Sequence, residues 1–213
     1  MKNTLKLAGV LLLMTVSSAR ADVWPTLVPG GMKHILIGFD NNDVSLHLDD
    51  GGASPLTMMN FGNLHTAPAD VLDGKGYNDQ YGWLADGLIS PPVDGAFWIR
   101  QVSATPGLEV YEGGMRMMRE THSYAPIFGT EGSPDIWKWG GTMTHHWNAA
   151  LLPGAYEATY EVYIGDAVTG TVIPGYGADQ VTLSWNYAPE PASALLCMAG
   201  AMVLIRRRRT AGI

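Results

Sequence analysis

Three side chains near the start of the domain, His34, His47 and Asp49, have the types and spacing to share a metal ion. Two short apolar runs in residues 33–50 are joined by Asp40-Asn41-Asn42-Asp43, and asparagine tolerates the positive φ that a two-residue hairpin turn requires. With Asn41 and Asn42 at the turn, Phe39 opposes Val44, Ile37 opposes Leu46 and Ile35 opposes Leu48, so one face is wholly apolar. A slip of one residue would scramble that face. The same register sets Leu36 against His47 and His34 against Asp49 on the other face, where opposed Cβ atoms lie about 4.5–5.5 Å apart. His47 and Asp49, two residues apart on one strand, point the same way. Two imidazoles and a carboxylate suit zinc or another divalent transition metal, with a fourth ligand or water completing the set. The spacing equally fits a solvated face on which a carboxylate pairs with histidine.

Other constellations carry less. Met115-Arg116-Met117-Met118, with Met58, Met59 and Met143, offers soft thioethers to copper, but methionine is more often core filler. Asp70, Asp73, Asp79 and Asp86 lie in a Gly-rich stretch without the alternating oxygen ligands and closing Glu of a calcium loop. Trp137, Trp139 and Trp147, with Trp98, could form a platform for sugar rings, or pack the core. No G-x-S-x-G, H-E-x-x-H or P-loop pattern occurs, and Glu157 and Glu161 share the outer face of one strand. The expectation is a protein that is not an enzyme.

The elements that must position these residues are strands. Residues 155–164 alternate Tyr156, Ala158, Tyr160, Val162 and Ile164 with polar neighbours, and residues 180–186 alternate Val181, Leu183 and Trp185 likewise, the period of half-buried strands. Further strands are expected at 97–102, 108–111, 115–118 and 142–147, while residues 50–95 read as the least regular part. Many short strands between Gly and Pro turns predict an all-β fold, a single antiparallel β-sandwich. Only Cys197 is present, so no internal disulfide can form and the core must hold the domain.

The ends read as addresses. Lys2 and Lys6, an apolar run over 7–16 and Ala19-Arg20-Ala21 have the layout of a signal peptide covering residues 1–21. Near the other end, Pro189-Glu190-Pro191 precedes an apolar stretch over 194–205 and Arg206-Arg207-Arg208-Arg209. That stretch makes a short transmembrane helix, and the arginines favour a cytoplasmic C-terminus. Between the ends, residues 22–188 hold six basic and nineteen acidic residues, a balance of −13. Such a charge argues against nucleic acid, whose phosphates need Lys and Arg, and is compatible with cations or neutral glycans.

The ordered Pro-Glu-Pro, apolar helix and arginine cluster of residues 189–209 resembles the PEP-CTERM sorting signal, also described as an ice-binding protein C-terminal domain. The resemblance implies signal peptidase and exosortase as partners, membrane anchoring through the C-terminal helix before processing, and delivery to the cell envelope, outer surface or extracellular matrix. The ice label carries no activity.

A second resemblance lies in the domain itself. Lys33-His34-Ile35-Leu36-Ile37-Gly38-Phe39, then Val44-Ser45-Leu46-His47-Leu48-Asp49-Asp50, and later Thr144-His145-His146-Trp147-Asn148 followed by Pro153-Gly154-Ala155-Tyr156, are similar to the choice-of-anchor M family of surface-anchored proteins. On that match His34, His47 and His146 fall on family histidines, and Asp49 stands where a second histidine is usual. Leu36 replaces an early Asp, and Thr144 replaces the first histidine of the late motif, with His145 beside it. The resemblance implies a divalent metal, zinc favoured, held by His34, His47, Asp49 and His146. The expected whole is an exported, surface-sorted protein of three parts, residues 1–21, 22–188 and 189–209, with exopolysaccharide binding through an aromatic surface as the alternative role.

Overall fold

The computed structural model of the chain describes residues 22–49 and 55–188. The expected leader (residues 1–21), Asp50 and the expected sorting signal (residues 189–209) lie outside those residues. Among the described residues no helix is long and apolar enough to cross a membrane.

The fold is all-β and sandwich-like. Its strands are β1 (Lys33–Asp40), β2 (Asp43–Leu48), β3 (Leu56–Met58), β4 (Gly76–Asn78), β5 (Tyr81–Ala85), β6 (Gly95–Ala104), β7 (Leu108–Gly114), β8 (Pro126–Ile127), β9 (Ile136–Lys138), β10 (Thr144–Ala150), β11 (Gly154–Asp166) and β12 (Asp179–Tyr187). One sheet runs β2-β1-β5-β10-β7-β8, with β4 beside β10, and the other runs β3-β12-β11-β6-β9.

The expected purely antiparallel sandwich is corrected on one point: both sheets are mixed. β1 lies parallel to β5, and β3 parallel to β12. After the β1–β2 hairpin the chain crosses to the second sheet as β3 before returning, so β5 enters beside β1 from the same end. Parallel neighbours require a long connection of this kind.

The hairpin has the register that its apolar face demands: Ile35 opposes Leu48, Ile37 opposes Leu46 and Phe39 opposes Val44, with Leu36 opposite His47. Asn41 and Asn42 have φ of 51° and 68°, the left-handed pair a tight hairpin turn needs. β11 and β12 pair as their alternation suggests, Tyr156 with Trp185 and Ala158 with Leu183. Residues 115–118 are not a strand. β7 stops at Gly114, and Met118 N–H closes on the Met115 carbonyl at 2.8 Å, because Arg116 turns inward to Asp79. Residues 50–95 include β3, β4 and β5 in their described part, strands too short to show a period in sequence.

The main core lies between the sheets and includes Ile35, Ile37, Trp83, Ile99, Tyr160, Val162, Leu183 and Trp185. A second apolar cluster covers part of the outer face of the first sheet. There Tyr77, Tyr111, Trp147 and Ala149 are roofed by Val28, Ala69, Leu72 and Tyr124. The N-terminal segment reaches that roof because Asp79 accepts from Val28 N–H, while Arg116 and Arg119 donate to the carbonyls of Val28 and Pro25.

Candidate metal site

On the outer face of the first sheet, a row of residues crosses three strands. His34 of β1 pairs with Gly82 of β5, and Gly82 pairs with His145 of β10. The rings of His34 and His145 meet across the glycine, edge to face, with centroids 5.4 Å apart and planes at 72°. A Cβ on Gly82 would lie 2.5 Å from His145 Cε1 and Nε2. The Nε2 edge of His145 therefore rests on the strand that separates it from His34.

Each imidazole is oriented from its far side. His34 Nδ1 lies 2.8 Å from Asp49 Oδ2, and Asp49 Oδ1 also accepts from His34 N–H at 3.0 Å. His145 Nδ1 lies 3.1 Å from the Asp79 carbonyl. Neither acceptor has a proton to give, so Nδ1 is the donor in both rings, and in the neutral imidazole Nε2 keeps its lone pair. Both Nε2 atoms are buried and have no hydrogen-bond partner among the described residues.

The electrostatics favour this neutral, lone-pair-bearing form at His145. Burial pushes its pKa down to about 4, and the neighbouring His34 adds to the effect. Burial raises the Asp49 carboxyl, but the hydrogen bonds from His34 and the Lys33 charge outweigh it and hold the carboxyl below its ordinary range.

The expected ligands are divided by the fold. His34 and Asp49 come together. His47 lies opposite Leu36 and is exposed. His146, the next residue after His145, points to the opposite face of the sheet because side chains alternate along a strand. It lies among Phe128 and Trp137, its ring 4.6 Å from the Trp137 ring, and its Nδ1 accepts from Gly113 N–H at 3.3 Å. Burial lowers its pKa to about 3. The second imidazole beside His34 is thus His145, which the run Thr144-His145-His146 left one residue from the expected position; only strand parity could have chosen between them. His65 is likewise held by a carboxylate, Asp73 at 2.8 Å, but it stands apart from this pair. Among the described residues no group of three or more His, Cys, Asp or Glu is placed to hold a metal ion.

The tryptophans and several of the carboxylates are engaged within the fold. Trp98, Trp139 and Trp147 are buried, and Trp137 is half-buried with Nε1 donating to Glu112 at 2.8 Å. Three of these four rings are core packing, and the fourth, Trp137, is partly exposed. Asp73 and Asp79 of the Gly-rich stretch are taken by His65 and Arg116, and Glu161 pairs with Arg100 at 3.1 Å.

In comparison with known proteins, no family model matches the chain, and neither a curated protein nor a solved structure matches it.

Proposed function

We propose that the chain is an exported, surface-sorted protein without catalytic activity whose β domain binds a divalent transition metal, zinc above others, through His34 and His145. The observation that carries the metal reading is the pair of buried Nε2 atoms, each left as an acceptor by an Nδ1 hydrogen bond on the far side. Two buried Nε2 acceptors without a protein donor, on rings that meet edge to face, are open to an electrophile such as a metal ion. A carboxylate or backbone carbonyl behind the imidazole is the usual support of a metal-binding histidine.

The spacing fits. Zn–N bonds of about 2.0–2.1 Å put the centroids of two imidazoles on a tetrahedral ion roughly 5 Å apart, close to the 5.4 Å between His34 and His145. Only two protein nitrogens are offered, so solvent would complete the coordination. The bound ion would supply charge and a fixed crosslink between β1 and β10, while Asp49 and the Asp79 carbonyl hold the two Nδ1 protons. Export and sorting rest on the sequence patterns of residues 1–21 and 189–209.

Calorimetric titration of the metal-stripped full chain with Zn²⁺ tests the metal reading. Binding is expected in the parent, in His47→Ala and in His146→Gln, and is expected to be lost in His34→Ala and in His145→Ala. Equal heats in all five proteins overturn it. Export is tested separately, by following a tagged chain and its Glu190→Ala variant through cell fractions; identical fractionation without cleavage removes the sorting role.

A further inference from the structure

Met115, Met117 and Met118 are 52, 73 and 43% exposed, whereas Arg116 between them is 8% exposed. This inverts the ordinary partition, in which methionine fills cores and arginine faces water. The inversion is built into the turn. Arg116 donates to Asp79 Oδ2 at 2.9 Å and to the carbonyl of Gly30 at 3.3 Å. Met118 N–H closes on the Met115 carbonyl, which also accepts from His122 Nε2 at 3.1 Å. Thr121 donates to the Met118 carbonyl through its main chain and its hydroxyl. The turn is pinned at both ends and in its middle, and its three methionines are exposed.

Leaving three methionines in water forfeits apolar burial that a polar residue would not have lost, at about 25 cal/mol for each Å². We propose that this turn binds a soft monovalent cation, cuprous copper, through the sulfurs of Met115, Met117 and Met118. Thioethers select Cu(I) over the harder divalent ions that imidazole and carboxylate take. A sulfur donor needs no deprotonation, so the site works without a base. The −13 balance of residues 22–188 draws cations of any kind toward the surface, and sulfur supplies the choice among them. The site is separate from the imidazole pair and does not depend on it.

Methyl-labelled methionine spectra of the full chain provide the test, with Ag⁺ as a redox-inert soft probe and Cu(I) held under anaerobic ascorbate. Saturable shifts of the Met115, Met117 and Met118 methyls are expected, assigned by single leucine variants, with buried Met58 unmoved and Zn²⁺ without effect on any of the three. The triple variant Met115→Leu/Met117→Leu/Met118→Leu keeps apolar bulk and removes sulfur, and its Cu(I) affinity in competition with a chromophoric chelator should fall roughly tenfold or more. Unmoved methyls, equal shifts with Zn²⁺, or undiminished Cu(I) affinity in the triple variant each overturn the proposal. Self-association that survives in the triple variant together with unchanged Cu(I) affinity would assign the patch to docking instead.

Discussion

His34 and His145 belong to strands that are not paired with each other, yet their rings meet at 5.4 Å because the residue between them in the sheet is Gly82. Any side chain at 82 would occupy the space of the His145 imidazole, since a Cβ there falls 2.5 Å from two of its ring atoms. Gly82→Ala should therefore push the imidazole off β5 and separate the two Nε2 atoms. The expected result is a Zn²⁺ affinity reduced roughly tenfold or more, read by calorimetry, while far-ultraviolet circular dichroism stays that of the parent. Unchanged affinity in a folded Gly82→Ala protein would mean that the two rings do not act together.

Asp49 reaches His34 twice, once at the main-chain N–H and once at Nδ1. Asp49→Asn keeps the size and an acceptor but removes the charge that makes the imidazole a stronger base. A loss of roughly 10–100-fold in Zn²⁺ affinity is expected, the usual effect of removing such a supporting group. Asp43→Asn, on the same hairpin but away from His34, is the control and should bind as the parent does. Equal affinity in the two variants would show that the carboxylate contributes only to the hairpin.

Acid should destabilise the metal-free domain well above the range in which carboxylates titrate. Burial holds His146 at a pKa of about 3 in the folded state, against roughly 6.5 in an unfolded chain. Above the unfolded value both states leave it neutral and it contributes no pH dependence. Below that value the unfolded state binds the proton and the folded state does not, so stability falls as pH drops from about 6.5 toward 3, by up to about 1.4 kcal/mol per pH unit. His145, lowered to about 4, adds to the slope in the same direction. Urea unfolding in chelator at a series of pH values measures it. His146→Gln should flatten the profile between pH 6 and 4, on the order of one proton fewer, and a profile as steep as the parent's would place the coupling elsewhere.

Much of the frame was legible in the chain because its signals are local. The Asn41-Asn42 turn and the apolar alternation fixed the β1–β2 register, and the same alternation revealed β11 and β12. The candidate site was half legible for the same reason: His34 and Asp49 sit on one hairpin, whereas His145 reaches His34 only through β5, a five-residue strand with no sequence period to announce it. Parity on β10 then separates His145 from His146, and a motif read as a string does not contain parity. The strand expected at 115–118 failed because a long-range ion pair, Arg116 with Asp79, outweighs local alternation.

That ion pair also links the site to the N-terminal segment. Asp79 uses its carbonyl to orient His145, its Oδ1 to hold Val28 N–H and its Oδ2 to receive Arg116 at 2.9 Å. Both side chains are nearly dry, 9% exposed for Arg116 and 2% for Asp79. Removing the guanidinium leaves a buried carboxylate with its charge uncompensated, so Arg116→Met should cost about 3–5 kcal/mol in urea unfolding. The double variant Arg116→Met/Asp79→Asn removes the orphaned charge and should recover part of that loss, which a simple sum of two independent losses would not allow. Because Asp79→Asn retains the main-chain carbonyl behind His145, the double variant should still bind Zn²⁺ if it folds. Additive losses in the cycle would show that the pair is not coupled.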